Sequence, residues 1–221
     1  MTLVLVAHGT RDPAGAEVVE EIASLVRARL GGVPVRVAYA DVRRPDVTSV
    51  LSSVRGPAVV VPAFLAAGYH VRVDIPAQVE ASGHPDVVVA DPIGPALAPA
   101  VLARLHEAGY RPGDSVVLAA AGSSDARALA DVRAVADALA RRVGPVAVGY
   151  AATASPRVPE VVGRAPGRVA VASWLLAPGL FHRAVAASGA DVVAAPIGAH
   201  PRVVEAVLLR YYEARCFRGV A

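Results

Sequence analysis

Apolar residues follow two rhythms along this chain. The runs TLVLVA (2–7), PVRVAY (34–39), PAVVVP (57–62) and DVVVA (86–90) are β-branched and largely apolar on successive positions. That is how strands covered on both faces of a parallel sheet read. Between them apolar residues recur every three or four positions. The clearest case spans about 14–30, with Val18, Val19, Ile22, Leu25, Val26 and Leu30 on one stripe, entered after Pro13 and closed by Gly31 and Gly32. Shorter helices fit 45–54, 71–82 and 95–108. Strict alternation of strand and helix predicts an α/β protein with a doubly wound parallel sheet.

The pattern is then written a second time. SVVLAAAGSSD (115–125) echoes TLVLVAHGTRD (2–12), and PVAVGYAATASP (145–156) echoes PVRVAYADVRRP (34–45). RVAVASWLLAPGLF (168–181) echoes PAVVVPAFLAAGYH (57–70), and ASGADVVAAPIG (187–198) echoes ASGHPDVVVADPIG (81–94). A Pro/Gly turn, YRPGD (110–114), joins the halves. The expected architecture is two tandem, pseudo-symmetric α/β domains, 1–111 and 112–221, facing a central cleft.

Ligands of open parallel sheets bind beyond the carboxyl ends of the strands. Three polar residues fall there in the first half. His8 ends the first strand, Asp41 follows the second, and His70 follows the third in the loop FLAAGYH. Two imidazoles and a carboxylate suit a borderline divalent metal such as iron, cobalt, nickel or zinc. The second half has Ala121 opposite His8, Ala152 opposite Asp41, and Phe181 or, with another gap, His182 opposite His70. A histidine needed only for the scaffold is expected in both copies, so the loss marks His8 and His70 as functional. Asp41 reads equally as a cap carboxylate. Asp74, in HVRVDIP, is either a partner that orients His70 or an ordinary first-turn acid. The loop HGTRD enters a helix, where backbone amides and Arg11 suit an anion. Gly9 there permits close approach or positive φ. Its echo GSSD keeps the glycine and a hydroxyl but drops the arginine, which points Arg11 at a ligand. His84, His106 and His200 sit at turns and helix ends and read as structural; His182 is the one other histidine placed to face the cleft.

Composition narrows the chemistry further. With 55% hydrophobic residues the chain can bury a core, and no run approaches the ~20 apolar residues of a membrane span. No basic segment precedes an apolar one as in a secretion signal. One cysteine, Cys216, excludes an intramolecular disulfide, so the expected location is the cytoplasm. Every one of the 22 basic residues is arginine, which removes a Walker lysine and a Schiff-base lysine. The arginines are spread out rather than clustered, which argues against nucleic acid and suits carboxylate-rich ligands.

HGTRDP after an apolar strand, followed by VVVPAFLAAGYHVRVDIP, resembles the sirohydrochlorin chelatases, class II tetrapyrrole chelatases of sirohaem and cobalamin synthesis. The family pattern is H-G-S-R and, later, P-x-F-L-x-x-G-x-H-x-x-x-D-I-P, with two such domains in its longer members. Thr10 replaces the usual serine, and Asp41 stands where the family often has glutamate. The resemblance implies that His8 and His70 hold metal and accept protons, with Asp41 assisting. It also implies that Gly9, Thr10, Arg11, Phe64 and Leu65 meet the substrate and that the second half is silent. It implies Fe²⁺ or Co²⁺ as substrate metal, no permanently bound cofactor, no ATP and a tetrapyrrole partner; a monomer is expected because two domains in one chain can replace a dimer of single domains. Two rivals stand beside it. A histidine phosphatase would share a histidine after an apolar strand, but here Ala7 precedes it where that chemistry needs arginine. A tetrapyrrole- or metal-binding protein without turnover would keep the same ligands.

Overall fold

The computed structural model describes residues 1–218, with side chains as far as Cys216. Two four-stranded sheets, all parallel, carry the predicted strands. In the first, β1 (Thr2–Ala7), β2 (Val35–Tyr39), β3 (Ala58–Pro62) and β4 (Val87–Val89) lie in the order β2-β1-β3-β4. In the second, β5 (Ser115–Ala120), β6 (Val146–Tyr150), β7 (Val169–Trp174) and β8 (Val192–Val193) lie in the order β6-β5-β7-β8. Register repeats with the sequence. Leu5 sits between Val37 and Val61, and Leu118 between Val148 and Ala172.

The helices follow the predicted order: α1 (Pro13–Leu30), α2 (Val47–Ser53), α3 (Ile75–Ala81), α4 (Ala98–Glu107), α5 (Ala126–Val143), α6 (Val158–Arg164), α7 (Leu180–Ala186) and α8 (Pro201–Arg218). Both long helices after the central strands start alike. Asp12 caps α1 by accepting from the Ala14 amide at 3.1 Å, and Asp125 caps α5 by accepting from the Arg127 amide at 2.9 Å. Because strand residues alternate faces, Val4 and Val6 pack with Val47, Leu51 and Ile75 of α2 and α3. The other face of the first sheet meets α1 and α8. In the second sheet Val117 and Ala119 pack with Val158, Val162 and Val185 of α6 and α7, and α4 and α5 lie against β7 and β6.

Two expectations change here. By packing, the compact units are 1–94 with 199–218, and 95–198, so the repeat halves 1–111 and 112–221 do not coincide with them. Each half gives its last helix to the other half's unit: α4, which follows β4, packs on β7 and α5, and α8, which follows β8, packs on β3 and α1. A repeat unit in sequence fixes which residues make a helix, but a helix packs on whichever sheet its linker lets it reach. The second change concerns His70. It does not lie in a loop after β3 but opens a π-helical turn, His70–Asp74, that runs straight into α3. The turn closes from the Ile75 amide to the His70 carbonyl. Pro76 follows in the first turn of α3, where a residue without an amide is tolerated.

Candidate metal centre

The first unit is built so that three strand ends deliver three side chains to one place. Ala7, the last residue of β1, is buried, and His8 steps out of the sheet into solvent. Beyond β2 the chain stays coupled to β1: Ala40 donates to the Ala7 carbonyl at 2.8 Å and Asp41 to the His8 carbonyl at 3.0 Å. The two loops can touch this closely only because residue 9 is glycine. Gly9 has φ +99°, and a Cβ there would stand 2.2 Å from the Asp41 carbonyl oxygen. His70 arrives from the π-turn beyond β3.

One ligand atom from each of His8, Asp41 and His70 lies within 4.8 Å of the others. Among the described residues this is the one group of three or more His, Cys, Asp or Glu side chains that close. Two donors on one ion at about 2.1 Å can stand no more than about 4.2 Å apart. At the wide end of that spread the set must draw in by roughly half an ångström to share a cation.

Hydrogen bonds decide how each group is presented. His8 Nδ1 lies 2.9 Å from the Gly9 carbonyl, which can only accept, so Nδ1 carries the proton and Nε2 keeps its lone pair. His70 Nδ1 lies 2.5 Å from Asp74 Oδ2, which likewise leaves His70 Nε2 as the free donor. A carboxylate behind an imidazole is the usual outer partner of a metal-binding histidine. Asp41 Oδ1 accepts from the Val42 amide at 2.7 Å, fixing the carboxylate while Oδ2 faces away from that bond. The two imidazoles meet edge to face at 4.4 Å between centroids. Phe64 stands 6.2 Å from one and 6.3 Å from the other as an apolar wall, with half-buried Leu65 next in the chain.

The other predicted residues separate into scaffold and surface. Thr10 Oγ1 accepts from the Asp12 amide at 3.1 Å, and Ser123 makes the same bond to Asp125 at 3.0 Å. That hydroxyl therefore builds a turn common to both copies. Gly9 is matched by Gly122, whose Cβ would meet the Ala152 carbonyl at 2.0 Å. Arg11 is exposed and makes no hydrogen bond or ion pair among the described residues. His84 Nδ1 accepts from the Asp86 amide and His200 Nδ1 from the Arg202 amide, so both close turns. His106 packs edge-on to Tyr110 in the last turn of α4, and His182 Nε2 lies 3.3 Å from the Ala194 carbonyl.

Two contributors escape the sequence reading. Gln78, on α3, donates to the Ala40 carbonyl at 2.8 Å and accepts from the Val47 amide at 3.0 Å, tying the helix behind His70 to the loop that bears Asp41. Arg43 donates from Nη1 to the Thr10 carbonyl at 3.0 Å and lies over the ring of Tyr39, 5.8 Å from its centroid. Burial, with Glu20 nearby, holds the Tyr39 phenol above its ordinary value, against the pull of that guanidinium. The available signal for Arg43 was a difference between the halves, since the position reads Ala154 in the second.

Comparison with known proteins covers both halves of the chain. A model of the CbiX family matches residues 2–108 and again residues 115–214. The sirohydrochlorin cobaltochelatase of Methanothermobacter thermautotrophicus is 36% identical over 78 residues, 34% of this chain and 54% of that protein. Its counterpart in Methanosarcina acetivorans is 31% identical over 78 residues, 34% of this chain and 60% of that protein. The chain thus spans little more than half the length of these curated relatives. SirB from Bacillus subtilis, solved with Fe3+, superposes with a TM-score of 0.81 at 23% identity, over 99% of this chain and 98% of that one. CbiX from denitrifying bacteria, described as the terminal enzyme for siroheme biosynthesis, gives 0.77 at 24% identity over 97% and 99%. These two likenesses establish the fold.

Proposed function

The chain belongs to the CbiX family, and we propose that it is a sirohydrochlorin chelatase that inserts Fe²⁺ or Co²⁺ into the macrocycle without ATP. The observation that carries the reading is the convergence of His8, Asp41 and His70 in one unit, against Ala121, Ala152 and Phe181 at the matching positions of the other. Two imidazoles and one carboxylate suit both ions and hold either without the closed shell that would trap it. The arrival of the ion is favoured by the Asp41 carboxylate, and both Nε2 lone pairs point to a role as ligands.

Metallation replaces two pyrrole N–H protons with one dication. As the ion passes to the macrocycle nitrogens, two imidazole lone pairs fall free while two protons need acceptors. Imidazole takes up protons near neutral pH, so His8 and His70 can serve as ligand first and base second. Asp74 would then face an imidazolium at His70 and stabilise it, as a carboxylate does for any base it orients. Arg11, exposed three residues past His8, would pair with a substrate carboxylate. A cytoplasmic location and a monomeric state belong to the same proposal.

The test is the absorbance change of sirohydrochlorin on anaerobic addition of the protein with Co²⁺ or Fe²⁺, offered singly and in competition. Rapid formation of the metallated macrocycle is expected with the native chain. A folded His8→Ala, His70→Ala double variant should fall to the uncatalysed rate. If that variant metallates as fast as the native chain, the assignment of the centre is wrong. Tight retention of macrocycle with no turnover by the native chain would instead make it a binding protein.

A further inference from the structure

Arg43 is a polar side chain on the Asp41 loop that neither the family pattern nor the metal-holding set accounts for. It sits two residues past Asp41, in a turn closed by its own amide on the Asp41 carbonyl at 2.7 Å. From there its guanidinium crosses to the β1 loop and binds the Thr10 carbonyl, two residues past His8. Together with the Asp41 amide on the His8 carbonyl, this makes two ties between the loops, one on each side of Gly9. The buried ring of Tyr39 supports the guanidinium from below.

The second unit shows what this crossing needs in order to fold. Ala152 donates to the Ala121 carbonyl at 2.9 Å, and Ala154 to the Ala152 carbonyl at 2.6 Å. Gly122 keeps φ +96°, and Thr153 at φ 58° repeats the left-handed turn of Val42 at φ 64°. Every backbone element of the crossing is therefore present where Arg43 has become Ala154. The backbone of the crossing therefore folds without the guanidinium, which occurs in the half that bears His8, Asp41 and His70 and adds there a side-chain tie that Ala154 cannot make. It carries no lone pair, so it is not itself a ligand.

We infer that Arg43 is a positioning residue: by pinning the Thr10 carbonyl it holds the His8 loop against the Asp41 loop at the spacing from which both donors reach one divalent cation. The inference rests on the reading of His8, Asp41 and His70 as the metal-holding set. Its neighbour Arg44 is occupied differently, paired with Asp46 at the start of α2, so the effect belongs to position 43.

The experiment titrates the full chain with Co²⁺ alone, following calorimetric heat and the visible ligand-field bands, for the native protein and for Arg43→Ala, Arg43→Lys and His8→Ala. Arg43→Ala should weaken Co²⁺ binding by about tenfold or more, the range seen when the outer support of a metal ligand is lost, and should change the ligand-field spectrum. Its melting temperature should stay close to native, because the second unit folds the same crossing without the arginine. Arg43→Lys, which keeps a donor of similar reach, should recover part of the affinity. In turnover the loss should appear in KM for the metal more than in kcat. Native affinity and spectrum in Arg43→Ala, with binding abolished in His8→Ala, would overturn the inference alone. So would a collapse of the melting temperature in both arginine variants, which would make the residue structural. Failure of the native chain to bind Co²⁺, or native binding by His8→Ala, would overturn the reading of the centre itself.

Discussion

Gly9 and Gly122 separate what a residue does for the fold from what it does for the site. Each lies at positive φ with a carbonyl where a Cβ would go, at 2.2 Å and 2.0 Å. Alanine at either position forces two backbone segments apart, and a cost of about 2 kcal/mol or more is expected at each. Chemical denaturation should record similar losses for Gly9→Ala and Gly122→Ala. Only Gly9→Ala should also weaken Co²⁺ binding by the folded protein, because only there does the displaced segment carry a proposed ligand, Asp41. The same comparison separates Thr10 from its neighbours. Its hydroxyl bond recurs at Ser123, so the residue is part of the turn, whereas His8 and Arg11 on either side have no equivalent.

At the scale of elements, the centre depends on how a turn and a helix are coupled. The π-turn at His70–Asp74 sets His70 and Asp74 four residues apart on one face and hands the chain to α3. Gln78, one turn into α3, then bridges the Ala40 carbonyl and the Val47 amide, and Thr48 Oγ1 donates to the Gln78 carbonyl at 2.9 Å. These bonds lock α3 to the loop between β2 and α2, so the helix behind His70 and the loop of Asp41 move together. Gln78→Ala leaves one carbonyl and one amide of half-buried backbone without their partner. A loss of about 1–3 kcal/mol in unfolding free energy is expected, with weaker metal binding in the fraction that folds. Gln78→Glu keeps the acceptor for Val47 but removes the donor to Ala40, so an intermediate loss should follow.

The molecule as a whole exchanges its terminal helices. Helix α8 buries Val203, Val204, Val207, Leu208 and Tyr211, and it belongs to the unit of the first sheet. At about 1.5–3 kcal/mol for each large buried side chain, that packing is on the order of 10 kcal/mol, comparable with the whole stability of a domain. A fragment of residues 1–111, cut where the repeat divides, should therefore fail to melt cooperatively and should bind a hydrophobic dye. Residues 1–94 joined by a flexible linker to 199–218 should regain a cooperative transition in circular dichroism. A well-folded 1–111 fragment would show that α4 can replace α8 on the first sheet.

Much of this was written in local pattern. Strands and helices were legible because each obeys a period of its own, and β1, α1 and the repeat fall where that pattern puts them. His8, Asp41 and His70 were legible because strand ends in a parallel sheet share one edge, and because the second half omits all three. A local pattern did not show that the entry to α3 is a π-turn rather than a loop. Nor could it assign Gln78 and Arg43, whose partners lie 38 and 33 residues away in the chain. The sequence by itself determined the elements, their repetition and the three residues proposed as donors. Tertiary structure alone decided which sheet each last helix covers and which side chains hold the donors in place, because both depend on contacts between segments distant in the chain.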